Sequence, residues 1–185
     1  MSARRIAIAA LLGAGLLAVG AAFVSCIDTS GTETNACPNE AVFTGLGADG
    51  GPTLATPVSE YMGQRCGTLD CHGSIYIPLR LYDHYGLRLP TESNVSGGAP
   101  TTQAELLLNY GTVCTLQPTQ TAAAVTDPNS AEQLLIVLKS RGLMSHKGGA
   151  VVKEGDPGDE CIAGWLRGDA PATVSAACET ALGGL

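Results

Sequence analysis

Arg65-Cys66-Gly67-Thr68-Leu69-Asp70-Cys71-His72-Gly73 is the most tightly specified stretch of this 185-residue chain. Two cysteines bracket four residues, a histidine follows the second at once, and glycines stand at both turns of the segment. The residues before it read as a helix. Thr56-Pro57-Val58-Ser59-Glu60 supplies an N-cap, a proline at the first helical position and an acid in the first turn. Val58, Tyr61, Met62, Arg65 and Cys66 then fall on one face at helical spacing. The Cys–His group therefore sits where an amphipathic helix ends and a loop begins.

Working outward, residues 73–100 read as loop, with Ile75-Tyr76-Ile77 too short to build a sheet. Thr101-Thr102-Gln103-Ala104-Glu105 starts a second helix carrying Leu106, Leu107, Tyr110 and Cys114. Asp127-Pro128-Asn129-Ser130 caps a third, with Leu134, Leu135, Val137 and Leu138. Asp156-Pro157-Gly158-Asp159 opens a fourth that lines up Ile162, Trp165 and Leu166, and residues 172–181 form a last short helix. The expected fold is all-α: a small helical domain with long loops over residues 56–185.

Arg4 and Arg5 precede an uncharged apolar run over residues 6–24, the charged and apolar regions of an export signal. Ala22-Phe23-Val24-Ser25-Cys26 resembles a bacterial lipobox, which implies removal of residues 1–25 and lipid attachment at Cys26. The competing expectation is an uncleaved anchor, since a run of this length can just span a bilayer. Ile27, rather than an aspartate, follows Cys26, so a lipid-anchored protein of the cell envelope is expected at the outer membrane. Residues 26–55 are small, polar and glycine-rich and read as a flexible tether, which Cys37 pins to the domain.

The chain carries a formal charge of −7, and −9 once Arg4 and Arg5 are gone. That balance, with no cluster of Lys and Arg and no G-x4-G-K-[ST] loop, excludes nucleic-acid binding and nucleotide hydrolysis as expectations. Seven cysteines then carry the reading. One is assigned to lipid, and an exported chain meets an oxidising compartment where the other six are paired or modified.

Two thiols followed directly by a histidine form the arrangement that attaches c-type haem. The thiols add to two vinyl groups on one porphyrin edge, and the adjacent neutral imidazole is a good iron ligand. The chain resembles a single-haem class I cytochrome c domain, and the cytochrome-like domains of secreted bacterial lipoproteins. The segments that carry the resemblance are Cys71-His72-Gly73, Asp127-Pro128-Asn129-Ser130, His146-Lys147-Gly148-Gly149 and Trp165-Leu166-Arg167-Gly168, in that order. The resemblance implies covalent haem on Cys66 and Cys71, with His72 as the proximal ligand. It places the sixth ligand in Gly142-Leu143-Met144-Ser145-His146-Lys147-Gly148-Gly149. Met144 comes first by analogy with class I cytochromes, His146 next, and His84, in Tyr82-Asp83-His84-Tyr85, third. The spacer departs from the usual two residues; since the vinyl separation is fixed, its additional residues must bulge outward, which Gly67 eases. The implied role is electron carrier rather than enzyme, tethered to a membrane, and the acidic surface favours a redox partner with a basic docking surface.

The same residues support a second expectation. Six cysteines can make three disulfides, with Cys66–Cys71 closing a short loop, Cys161 and Cys178 on adjacent helices, and Cys37 and Cys114 remaining. That describes a haem-free, disulfide-stabilised envelope lipoprotein acting as a binding or structural module. In the haem reading, Cys37, Cys114, Cys161 and Cys178 form two bridges. Zinc on Cys66, Cys71, His72 and a further cysteine lacks the usual second cysteine pair. Hydrolase chemistry at Ser145 and His146 lacks a G-x-S-x-G setting. Asp156, Asp159 and Glu160 are assigned to the helix N-terminus, where negative charge is stabilised.

Overall fold

A computed structural model describes residues 36–90 and 95–184. The export signal at residues 1–25 and the lipid-attachment candidate Cys26 lie outside the described residues, as do residues 27–35 of the expected tether. The secondary structure is helical: α1 (Glu40–Thr44), α2 (Val58–Cys66), α3 (Gln103–Leu116), α4 (Pro118–Thr126), a 3-10 helix (Pro128–Gln133), α5 (Leu135–Ser140), α6 (Pro157–Arg167) and α7 (Pro171–Leu182). Among the described residues there is no β-strand, only isolated bridges at Leu46–Pro52 and Tyr82–Leu87. The chain is all-α.

The centre of the fold is the α6–α7 hairpin. Pro157 and Pro171 each open a helix, where the missing N–H costs nothing. Gly168 ends α6 at φ 77°, a left-handed turn that any side chain would strain. Cys161 and Cys178, both fully buried, join the two helices by a disulfide. One face of α6 buries Ile162, Trp165 and Leu166, and α2 packs across it with Val58, Tyr61 and Met62.

Two expectations change here. The stretch read as tether is part of the core from residue 37 onward. Asn39 caps α1 by accepting from the N–H groups of Ala41 and Val42, and Phe43, fully buried, packs tilted against Trp165 with ring centroids 4.8 Å apart. Trp165 Nε1–H donates to the Asn39 carbonyl at 3.0 Å, Tyr110 donates to the Pro38 carbonyl at 2.9 Å, and a disulfide ties Cys37 to Cys114 on α3. Composition hid this because two apolar residues, Val42 and Phe43, do the anchoring amid small polar ones. The expected third helix is instead two elements. Leu134 adopts an extended ψ of 140°, and the Gln117 side chain accepts from the N–H of Leu135 to restart the helix.

The long loop between α2 and α3 is held by α3. Asn109, almost fully buried, brackets Tyr82 with two 2.7 Å bonds to its N–H and C=O. Glu105, which closes a capping box with Thr102, also takes a bidentate ion pair from Arg88 at 3.0 and 2.9 Å. Arg88 in turn donates to the carbonyls of Ala99 and Pro100. Backbone polar groups that a loop leaves unpaired are thus satisfied by three buried side chains.

Candidate functional site

The last turn of α2 runs into a knot of backbone. Gly67 caps the helix by donating to the carbonyls of Met62 and Gly63, His72 N–H returns to the Cys66 carbonyl at 2.9 Å, and Cys71 and Gly73 both donate to Thr68. The four-residue spacer therefore forms a closed turn. Two strands of loop press on it so closely that a Cβ on Gly73 or Gly86 would lie 2.1 or 2.0 Å from the Gly67 carbonyl oxygen. Both glycines are required by close approach rather than by φ.

This turn forms one wall of a cavity of about 760 Å³, within the range of small-molecule and cofactor sites. Met62, Leu79, Leu116, Leu135, Ile136 and Ile162 make its apolar side. Cys66, Cys71 and His72 face it from the turn, and His146 from the loop after α5. Cys66 and Cys71 are not bridged, while the other four described cysteines form the pairs Cys37–Cys114 and Cys161–Cys178. Burial pushes the Cys66 thiol up to about 11, so it is a protonated thiol at neutral pH.

The two histidines meet across the cavity. Their rings lie 5.9 Å apart, centroid to centroid, with planes within 14° of parallel. His72 Nδ1 is 2.7 Å from the Leu79 carbonyl and His146 Nδ1 is 3.0 Å from the Gly149 carbonyl. A carbonyl only accepts, so each Nδ1 carries a proton, which leaves Nε2 as the ring nitrogen able to bind a metal. Backbone carbonyls commonly orient metal-binding imidazoles in this way. Burial also holds His72 below its ordinary pKa, which favours the neutral ring.

The loop bearing His146 is anchored at its base. Arg141 makes a bidentate pair with Asp159 at 2.7 and 2.8 Å and reaches Glu132, while Val151 and Val152 donate to the Ser140 carbonyl. Asp159, assigned from sequence to a helix end, is 1% exposed and also accepts from Gly155 N–H. That positioning role was missed because Arg141 lies 18 residues away. Met144 is 42% exposed and does not line the cavity. His84 lies elsewhere, its Nδ1 held by the Ala99 carbonyl at 2.9 Å.

The residues around the cavity fit a haem on two counts. Two unbridged thiols and a histidine share one turn against an apolar wall. Two imidazoles, His72 and His146, lie at the same cavity with ring centroids 5.9 Å apart. Among the described residues no three His, Cys, Asp or Glu converge to hold a metal ion. Charge at the mouth is opposite in sign to the chain as a whole: Arg65, Lys139 and Lys147 line it against Asp70. Among the described residues no helix is long and apolar enough to cross a membrane. Comparison with protein-family models, curated proteins and solved structures finds no match to this chain.

Proposed function

We propose that the chain is a cytochrome c-like electron carrier of the bacterial cell envelope, tethered through a lipid on Cys26. The observation that carries the reading is the facing pair His72 and His146, both in the metal-binding tautomer, beside two unbridged cysteines. Cys66 and Cys71 would hold haem covalently, His72 would be its proximal ligand and His146 its sixth. Haem bound there supplies a one-electron couple between ferric and ferrous iron. The protein's part is to keep His72 neutral by burial, to hold both imidazoles in place, to exclude water with the apolar wall, and to fix the 142–150 loop through Arg141 and Asp159. Two imidazoles set a lower potential than an imidazole and a thioether, so exchanging Met144 for His146 as sixth ligand changes the expected redox range. The reading asks for no bond-making chemistry, hence for a carrier and not an enzyme.

Net charge favours a basic redox partner, but docking depends on the groups near the electron's exit. Screening cuts off charges beyond about 8–10 Å. Arg65, Lys139 and Lys147 therefore favour an acidic patch on the partner at close range.

The test is spectroscopic. Coexpressed with a periplasmic haem-attachment system, the protein should show a low-spin reduced α-band that His146→Ala abolishes and Met144→Ala leaves in place. A band lost in Met144→Ala alone overturns the ligand assignment. A colourless protein supports the rival, a disulfide-stabilised envelope module.

A further inference from the structure

A second cavity, of about 440 Å³, lies against a different set of α2 residues from the one facing the histidines. Its polar groups are Ser59, Glu60 and Gln64 on α2, Asp83 and His84 on the loop, and the threonines Thr44 and Thr101; Pro57, Tyr85, Pro100 and Leu106 add apolar surface. No Lys or Arg lines it, and neither Glu60 nor Asp83 has an ion-pair partner among the described residues. Asp83 is 5% exposed, its carboxylate packs on Gly63, and Oδ2 receives one bond, from Tyr85 N–H at 3.1 Å. A buried carboxylate with so little compensation is costly unless a positive group meets it.

A second, independent feature points the same way. Ser59 is 3% exposed, lines this cavity, and its Oγ has no hydrogen-bond partner among the described residues. Buried hydroxyls are nearly always paired, so an orphan in a cavity marks a place where a ligand atom belongs. His84 is held at the rim by its Nδ1–H, which donates to the Ala99 carbonyl at 2.9 Å. The Glu60 and Asp83 carboxylates are the charged acceptors of the set. Burial and the neighbouring Asp83 also raise the Glu60 pKa, a sign that the two carboxylates repel.

We infer that this cavity binds an organic cation, an ammonium or guanidinium group on an apolar stem, between Glu60 and Asp83 with Ser59 Oγ as a further partner. Its size and the apolar rim suit a stem rather than a bare ion, and no three metal-type side chains converge there among the described residues. Tyr85, 65% exposed at the mouth and edge-on to His84 at 4.2 Å, offers an aromatic surface to the cation. A free amine and a lysine side chain of another protein present the same cation on an apolar stem, so the chemistry is shared.

Calorimetric titration of the mature chain separates these sources. The probes are n-butylammonium, N-acetyl-lysine methylamide, its neutral norleucine counterpart and calcium chloride. Both ammonium probes should bind and the norleucine compound should not. Glu60→Gln, at the surface, and Asp83→Asn, which preserves shape, should each weaken binding at least tenfold while helical circular dichroism is retained. Tighter binding of the lysine compound identifies a protein side chain as the source, and equal binding a free amine. Norleucine binding as well as lysine, calcium binding more tightly than either amine, no heat from any probe, or unchanged affinity in Glu60→Gln overturns the proposal. None of these outcomes depends on haem.

Discussion

Removing the Cys37–Cys114 disulfide should cost more stability than removing Cys161–Cys178, although the second lies deeper in the core. The argument rests on loop length. The first bridge closes 77 residues and the second 17. In the chain-entropy account, cross-linking removes freedom from the unfolded chain in proportion to the logarithm of the loop, giving about 4.5 kcal/mol for the first and about 3 kcal/mol for the second. The first loss falls on an arm whose own anchors are few: Phe43 on Trp165, and two side-chain bonds to the carbonyls of Pro38 and Asn39. The perturbation is Cys37→Ala with Cys114→Ala, compared with Cys161→Ala with Cys178→Ala. Urea unfolding of the exported protein, followed by circular dichroism, reads both. The long-loop pair should lose ~1.4 kcal/mol more than the short-loop pair. A loss below ~1 kcal/mol for Cys37–Cys114, or the opposite ranking, would refute the claim that the arm is an integral, cross-linked part of the fold.

Three further outcomes follow from particular contacts. Glu105→Ala leaves Arg88 charged and buried without its partner, and should cost about 3–5 kcal/mol in urea unfolding, whereas Glu105→Gln should cost less. Because the folded chain holds Glu60 above its ordinary pKa of 4.5, its contribution to stability is full below that value and is lost as pH rises through the folded pKa; Glu60→Gln should therefore raise the urea midpoint at pH 7 and leave it unchanged below pH 4.5. In protein made without haem, Cys66 should resist iodoacetamide at pH 8 and react only as pH approaches about 11, with peptide mapping showing Cys71, exposed on the surface, alkylated first.

Much of the architecture is legible in local chemistry. Proline and capping residues mark the starts of α2, α3, α6 and α7 because those signals act within one turn of helix. Even so, the N-cap of α2 is Pro57 rather than Thr56, whose N–H is drawn to Ser175 Oγ instead. Three features escape a local reading because their causes are distant. Phe43 orders an otherwise polar arm only because Trp165 waits 122 residues later to receive it. The helical period through Leu134 and Leu138 looks continuous, yet Leu134 turns extended and the distant Gln117 side chain caps a new helix at Leu135. Within the 142–150 loop, Met144 and His146 are equivalent by position. What separates them is the Gly149 carbonyl that orients His146 toward His72 and the Arg141–Asp159 pair beneath it. The acidic cavity beside Ser59 was not visible at all, since its floor joins α2 to Asp83 across the loop.

The most direct test of the account is the mass of the peptide containing Cys66 and Cys71. It should be taken from the mature protein exported alongside a haem-attachment system. The account predicts one porphyrin per chain, bonded through both cysteines, with Cys37–Cys114 and Cys161–Cys178 intact. A peptide carrying a Cys66–Cys71 disulfide and no porphyrin would contradict it.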